Sequence, residues 1–82
     1  MPSDEQISAL IEQLEAERGT LERREAGNDP TREDDVRRLE QIRVDLDRLW
    51  DLLRQRRALR EAGDDPDKAH ERSRDVVERY WQ

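Results

Sequence analysis

Thr31–Ala62 reads TREDDVRRLEQIRVDLDRLWDLLRQRRALREA, and this stretch decides the fold. Leu39, Ile42, Leu46, Leu49 and Leu53 recur at alternating spacings of three and four, the seam of a helix that packs lengthwise on another helix. At about 100° per residue these five share one sector, in which we also place Val36 and Trp50. Val44, Leu52 and Leu59 fall on nearly the opposite side. A helix with one strong stripe and one weaker stripe is expected to lie between two neighbours. Its ends are marked. Thr31 is a good N-cap, and Glu33, Asp34 and Asp35 suit the positive end of the macrodipole. Arg56, Arg57 and Arg60 suit the negative end, Gly63 is the expected residue after the C-cap, and Pro66 blocks continuation.

Working outward to the N-terminal side, Ser3 followed by Gln6 is a capping box that opens a first helix over 3–26. Ile7, Leu10, Ile11, Leu14 and Leu21 form its single apolar stripe. Gly19-Thr20 is a soft point, read as a tolerated weakness or slight bend rather than a hinge. Arg24-Glu25-Ala26-Gly27-Asn28-Asp29-Pro30 recurs as Arg60-Glu61-Ala62-Gly63-Asp64-Asp65-Pro66, one stop signal used twice. The first turn is short, so the helices over 3–26 and 31–62 are expected to be antiparallel neighbours. Facing residues then have position numbers with a constant total of about 56. That register sets Ile7 against Leu49 with Trp50 beside it, Leu10 against Leu46, Leu14 against Ile42 and Leu21 near Val36.

On the C-terminal side, the tail over 67–82 is expected to fold back, with a short helix over about 74–80 capped by Ser73. That would bring Val76, Val77 and Tyr80 near Leu49–Leu53, and Glu71, Asp75 and Glu78 near Arg54 and Arg57. The fold class is therefore all-α: an antiparallel, coiled-coil-like helical hairpin with a short returning C-terminal helix, in one domain over 1–82.

Composition narrows the function. Charged residues make up 46% of the 82-residue chain, and the net charge is −6. Eight acids against three bases fall in residues 1–30, eight against nine in 31–62, and six against four in 63–82. An acidic chain argues against general nucleic-acid binding, whose affinity comes from neutralised phosphates. There is no cysteine, hence no disulfide, thiolate metal site or cysteine nucleophile. The N-terminus does not resemble a signal peptide and no apolar run approaches a membrane span, so a cytoplasmic protein is expected. No phosphate loop, zinc-protease motif or nucleophile elbow is present, so no catalytic residue, metal or cofactor is assigned. His70, the one histidine, reads as a solvated surface residue, and Asp47 with Asp51 as part of a salt-bridged face.

Trp50-Asp51-Leu52-Leu53-Arg54-Gln55-Arg56-Arg57-Ala58, then REAGDDP and the ending VVERYWQ, resemble a small uncharacterised actinobacterial family whose members are about this long. The resemblance covers the whole chain and implies a helical hairpin. It supplies no catalytic residues.

Two readings of function follow. The first is a non-enzymatic protein–protein interaction module that self-associates as a homodimer or docks on another protein. The alternative is a regulator that touches nucleic acid or the transcription machinery through the Arg-rich end of the second helix. The candidate partner-binding residues are Val44, Leu52, Leu59, Trp50, Arg54, Arg56, Arg57 and Arg60. Arg54, Arg56, Arg57 and Arg60 either complement the helix end and pair with Asp4, Glu5 or the acidic tail, or form an anion-binding patch. Trp50 is read mainly as a core residue, with an aromatic anchor as the other role. Val44 is expected to stay open, because the tail is long enough to shield only Leu52 and Leu59. The second stripe is therefore the expected dimer contact.

Overall fold

A computed structural model describes residues 3–26 and 32–72. Two long helices dominate: α1 over Asp4–Ala26 and α2 over Arg32–Glu61. A 3₁₀ turn, η1, follows at Pro66–Lys68. There is no strand among the described residues. The expected helix over 74–80, with Ser73, Val76, Val77, Tyr80 and Trp81, lies outside the described residues, as do the Thr31 cap and the Gly27–Pro30 turn.

The α1 start is the capping box expected from Ser3 and Gln6. The Ser3 amide donates to Gln6 Oε1 at 2.8 Å, and the Gln6 amide donates to Ser3 Oγ at 3.2 Å. Two otherwise unsatisfied donors are thereby paired reciprocally. The helix continues unbroken through Gly19. At the end of α2, Gly63 has φ +75°, a backbone conformation that costs an L side chain and that glycine adopts freely. The Gly63 amide bonds the Arg60 carbonyl at 3.1 Å and the Asp64 amide bonds the Leu59 carbonyl at 2.8 Å, the two bonds of a Schellman stop. The 3₁₀ turn was not anticipated, although its signal is present. Asp65 accepts from the Asp67 amide at 2.9 Å and Pro66 occupies the first position, where a missing N–H costs nothing.

The helices run antiparallel, as cross-helix ion pairs show. Glu17 meets Arg38 at 2.5 and 2.8 Å in the middle, Arg24 meets Asp35 at 3.5 Å at one end, and Asp4 meets Arg56 at 2.5 Å at the other. Between these lie the buried Ile7, Ile11, Leu21, Ile42, Leu46, Leu49 and Leu52, with Leu14, Leu39, Leu53 and Leu59 packed at their edges.

Three residues expected in the seam are not buried in it: Leu10 of α1, expected against Leu46, is 46% exposed, and two members of the α2 stripe are exposed to a similar extent. Val36 is 50% exposed and Trp50 is 47% exposed. The reason is angular. Counting by sevens from Ile42, the line that faces α1 is Asp35, Ile42, Leu49 and Arg56, and all four are buried. Val36 and Trp50 each lie one residue past that line, about 100° around the helix. The seam therefore closes at both ends on a charge rather than on an apolar side chain. Asp35 is 5% exposed, and its Oδ2 has no hydrogen-bond partner among the described residues.

The second face of α2 is also not open. Val44 and Leu52 are each 6% exposed, and Leu59 is partly buried. After η1, residues 69–72 run back along this face, antiparallel to α2. Ala69 joins the core beside Leu52. The Gln55 side-chain amide holds the His70 backbone on both sides, donating to its carbonyl at 2.8 Å and accepting from its amide at 3.4 Å. Arg48 Nε donates to the Arg72 carbonyl at 3.0 Å, and Arg72 Nε lies 3.6 Å from Asp51 Oδ2. Val44 itself is buried in the single chain, which overturns the expectation that it stays exposed.

Candidate interaction surface

Two of the four α2 arginines proposed as an anion patch are firmly tied to carboxylates across elements. Arg56 is buried. Its Nε donates to Asp4 Oδ1 at 2.5 Å, and its Nη1 donates to the Pro66 carbonyl at 3.2 Å and to Asp67 Oδ1 at 3.0 Å. One planar guanidinium thus joins the start of α1, the end of α2 and η1, which only a fork of several fixed donors can do. Arg60 Nη2 donates to Asp4 Oδ2 at 2.6 Å. The hydrogen bond from Arg56, then that from Arg60 and the charges of both, hold the Asp4 carboxyl below the usual aspartate range against a partial burial effect. Arg54 is held on its own helix, donating to Asp51 Oδ1 at 2.7 Å, while Gln55 donates to Asp51 Oδ2 at 2.8 Å. Asp51 is 1% exposed, and this shared coordination is what lets a carboxylate sit there. Asp47, four residues earlier, meets Arg43 at 3.1 Å. The acidic pair Asp47 and Asp51 is therefore part of an ion-paired face.

Arg60 is exposed although tied to Asp4, and the other exposed members of the proposed contact set are Arg57 and Trp50. They belong to one line of α2: Val36, Arg43, Trp50 and Arg57, every seventh residue and every one exposed. The line next to it, through Leu39, Leu46 and Leu53, supplies apolar flanks that α1 covers in part. Beside Val36 a shallow depression of about 520 Å³ is bounded by Arg18 and Glu22 of α1 and by Leu39, Glu40 and Arg43 of α2. On the other side of the hairpin, Leu10 is 46% exposed. It opens onto a groove of about 360 Å³ floored by Ile7, Leu49 and Leu52 and edged by Ala69 and His70. His70 is exposed and held through its backbone, as a solvated histidine would be.

This geometry is that of a small all-α hairpin whose outward α2 face carries a half-exposed tryptophan among charges, and among the described residues no helix is long and apolar enough to cross a membrane. The chain belongs to the DUF2630 family of proteins of unknown function, whose model matches residues 3–82. It is similar to the uncharacterized protein Rv0898c of Mycobacterium tuberculosis (strain ATCC 25618 / H37Rv), 40% identical over 79 residues that cover 96% of this chain and 91% of the relative. The uncharacterized protein Mb0922c of Mycobacterium bovis is similar to the same extent, 40% over 79 residues. These relatives bear out the actinobacterial family resemblance carried by Trp50–Ala58. No solved structure matches.

Proposed function

We propose that this protein is a non-enzymatic helical protein–protein interaction module that self-associates as a homodimer. The observation that carries the reading is the exposure of Trp50 at 47% and Val36 at 50%, in a chain where large apolar side chains are few. Tryptophan is the residue type most enriched among side chains that dominate binding energy, and arginine is close behind. Trp50 has Arg43 and Arg57 one heptad away on either side. The remaining arginines of the cluster serve the fold through Asp4, Asp51 and Asp67, so the contact surface is narrower than eight residues and centres on Trp50 and Arg57.

Sedimentation of the wild-type chain and of Trp50→Ser, from about ten to several hundred micromolar, tests the reading. The wild type is expected to associate with rising concentration, and Trp50→Ser to need about tenfold more protein for the same extent. A wild-type chain that stays monomeric over that whole range refutes self-association.

A further inference from the structure

α2 has three faces. One takes α1 through Asp35, Ile42, Leu49 and Arg56. A second takes residues 69–72 through Arg48, Asp51 and Gln55. The third is the exposed line of Val36, Arg43, Trp50 and Arg57. Resting on the self-association reading above, we propose that the occupant of this third face is the same face of a second copy, laid antiparallel about a twofold axis that passes beside Asp47.

Charge decides the orientation. A parallel, in-register pair sets Trp50 on Trp50 and Val36 on Val36, but it also sets Arg43 on Arg43 and Arg57 on Arg57, two like-charge neighbours that oppose the apolar gain. The antiparallel pair exchanges these neighbours. Trp50 of one copy lies over Arg43 of the other, a cation–π contact that symmetry makes twice. Glu40, held by its own Arg43 at 2.8 Å, comes opposite Arg54 of the second copy, held by its own Asp51 at 2.7 Å, so that opposite rather than like charges adjoin there, and Val36 lies along the aliphatic stem of Arg57 of the second copy. Asp47 meets its own copy at the axis, but each is already held by its own Arg43 at 3.1 Å, so two ion pairs meet there rather than two bare carboxylates.

The area sets the strength. From Val36 to Arg57 the helix rises about 32 Å, and a single helix face is about 10 Å wide. Each copy thus offers roughly 300 Å², well below the ~800 Å² per partner of a standard stable interface. The dimer belongs to the weak, rapidly exchanging class.

The chain contains no cysteine, so introduced cysteines report position without interference. Asp47→Cys places the thiol on the axis. At several hundred micromolar and mild oxidation it is expected to convert mostly to a disulfide-linked dimer. Arg57→Cys is expected to stay uncrosslinked, because ten residues on each side of the axis put the two thiols about 30 Å apart. An equimolar mixture of Glu40→Cys and Arg54→Cys chains, told apart by mass, is expected to give mainly the mixed dimer. This second pair also serves should Asp47→Cys fail the circular dichroism check for folded helix. Equal crosslinking of Asp47→Cys and Arg57→Cys means parallel pairing and overturns the proposal. A wild type that dimerises by sedimentation while neither Asp47→Cys nor the mixture crosslinks overturns this face and leaves self-association standing. A monomeric wild type overturns both.

Discussion

Arg56 Nε donates to Asp4 Oδ1 at 2.5 Å, joining residues 52 positions apart, and Arg24 Nη2 lies 3.5 Å from Asp35 Oδ1 at the opposite end of the hairpin. The two pairs have opposite polarity: α1 contributes the acid at one end and the base at the other. Any shift of α1 along α2 by a full turn separates both pairs and moves Ile7 and Ile42, each 0% exposed, off the seam. Apolar packing supplies the attraction between the helices, and the terminal charges select one register among those that packing alone would allow. Arg56→Ala is therefore expected to lower the melting temperature more than Arg57→Ala, whose side chain is exposed. Arg56→Lys is expected to recover only part of the loss, because one ammonium cannot reach Asp4, Asp67 and the Pro66 carbonyl together. Equal melting of the Arg56→Ala and Arg57→Ala variants would remove Arg56 from this role.

The exposure difference between Leu46 in the seam and Trp50 outside it sets a second expectation. Leu46 is 5% exposed, so Leu46→Ala is expected to cost about 2–4 kcal/mol in urea denaturation. Trp50→Ala, measured at low concentration where the chain is monomeric, is expected to cost less than about 1.5 kcal/mol, since half of the ring is already in water. His70→Ala is expected to stay within about 0.5 kcal/mol of wild type, its contacts being backbone ones.

Stability is expected to fall in acid. Asp4 is held below the usual carboxylate range chiefly by the Arg56 hydrogen bond, and Glu17 by the hydrogen bond from Arg38. Both groups release their protons more readily folded than unfolded. Their contribution is therefore complete above the unfolded range of about pH 4–4.5 and is lost as the pH drops through the lower folded values. Thermal melts between pH 7 and pH 2 measure this. Asp4→Asn is expected to flatten the acid limb while lowering stability at pH 7, and an unchanged acid limb in that variant would assign the effect elsewhere.

The segment after η1 is held by Gln55 through both amide groups, at 2.8 and 3.4 Å. Gln55→Met keeps the side-chain length but removes donor and acceptor together, including the bond to Asp51, which keeps Arg54 as its partner. Loss of about 1 kcal/mol of local hydrogen bonding is expected to speed amide exchange at His70 roughly fivefold while leaving exchange in α1 unchanged. A uniform change across the chain would mean that residues 69–72 unfold only with the whole hairpin.

The sequence by itself determined the class, the antiparallel pairing and most of the seam, because those rest on local signals. The Ser3–Gln6 box, the glycine at position 63 and the spacing of Leu39, Ile42, Leu46, Leu49 and Leu53 act within a turn or two of the chain. The pairing of the Arg-rich end with Asp4 was also legible as one of two readings, since opposite charges at the ends of antiparallel helices must meet. What only the tertiary structure decided is which flank of α2 stays in water. Val36 and Trp50 are apolar and lie one residue from the seam, while Asp35 and Arg56 are charged and lie on it. Hydrophobicity alone assigns them in the reverse order. The outcome depends on ion pairs across the helices that compensate burial of Asp35 and Arg56, and on residues 69–72 returning over the second stripe. Both are contacts between distant parts of the chain, and no local periodicity encodes them.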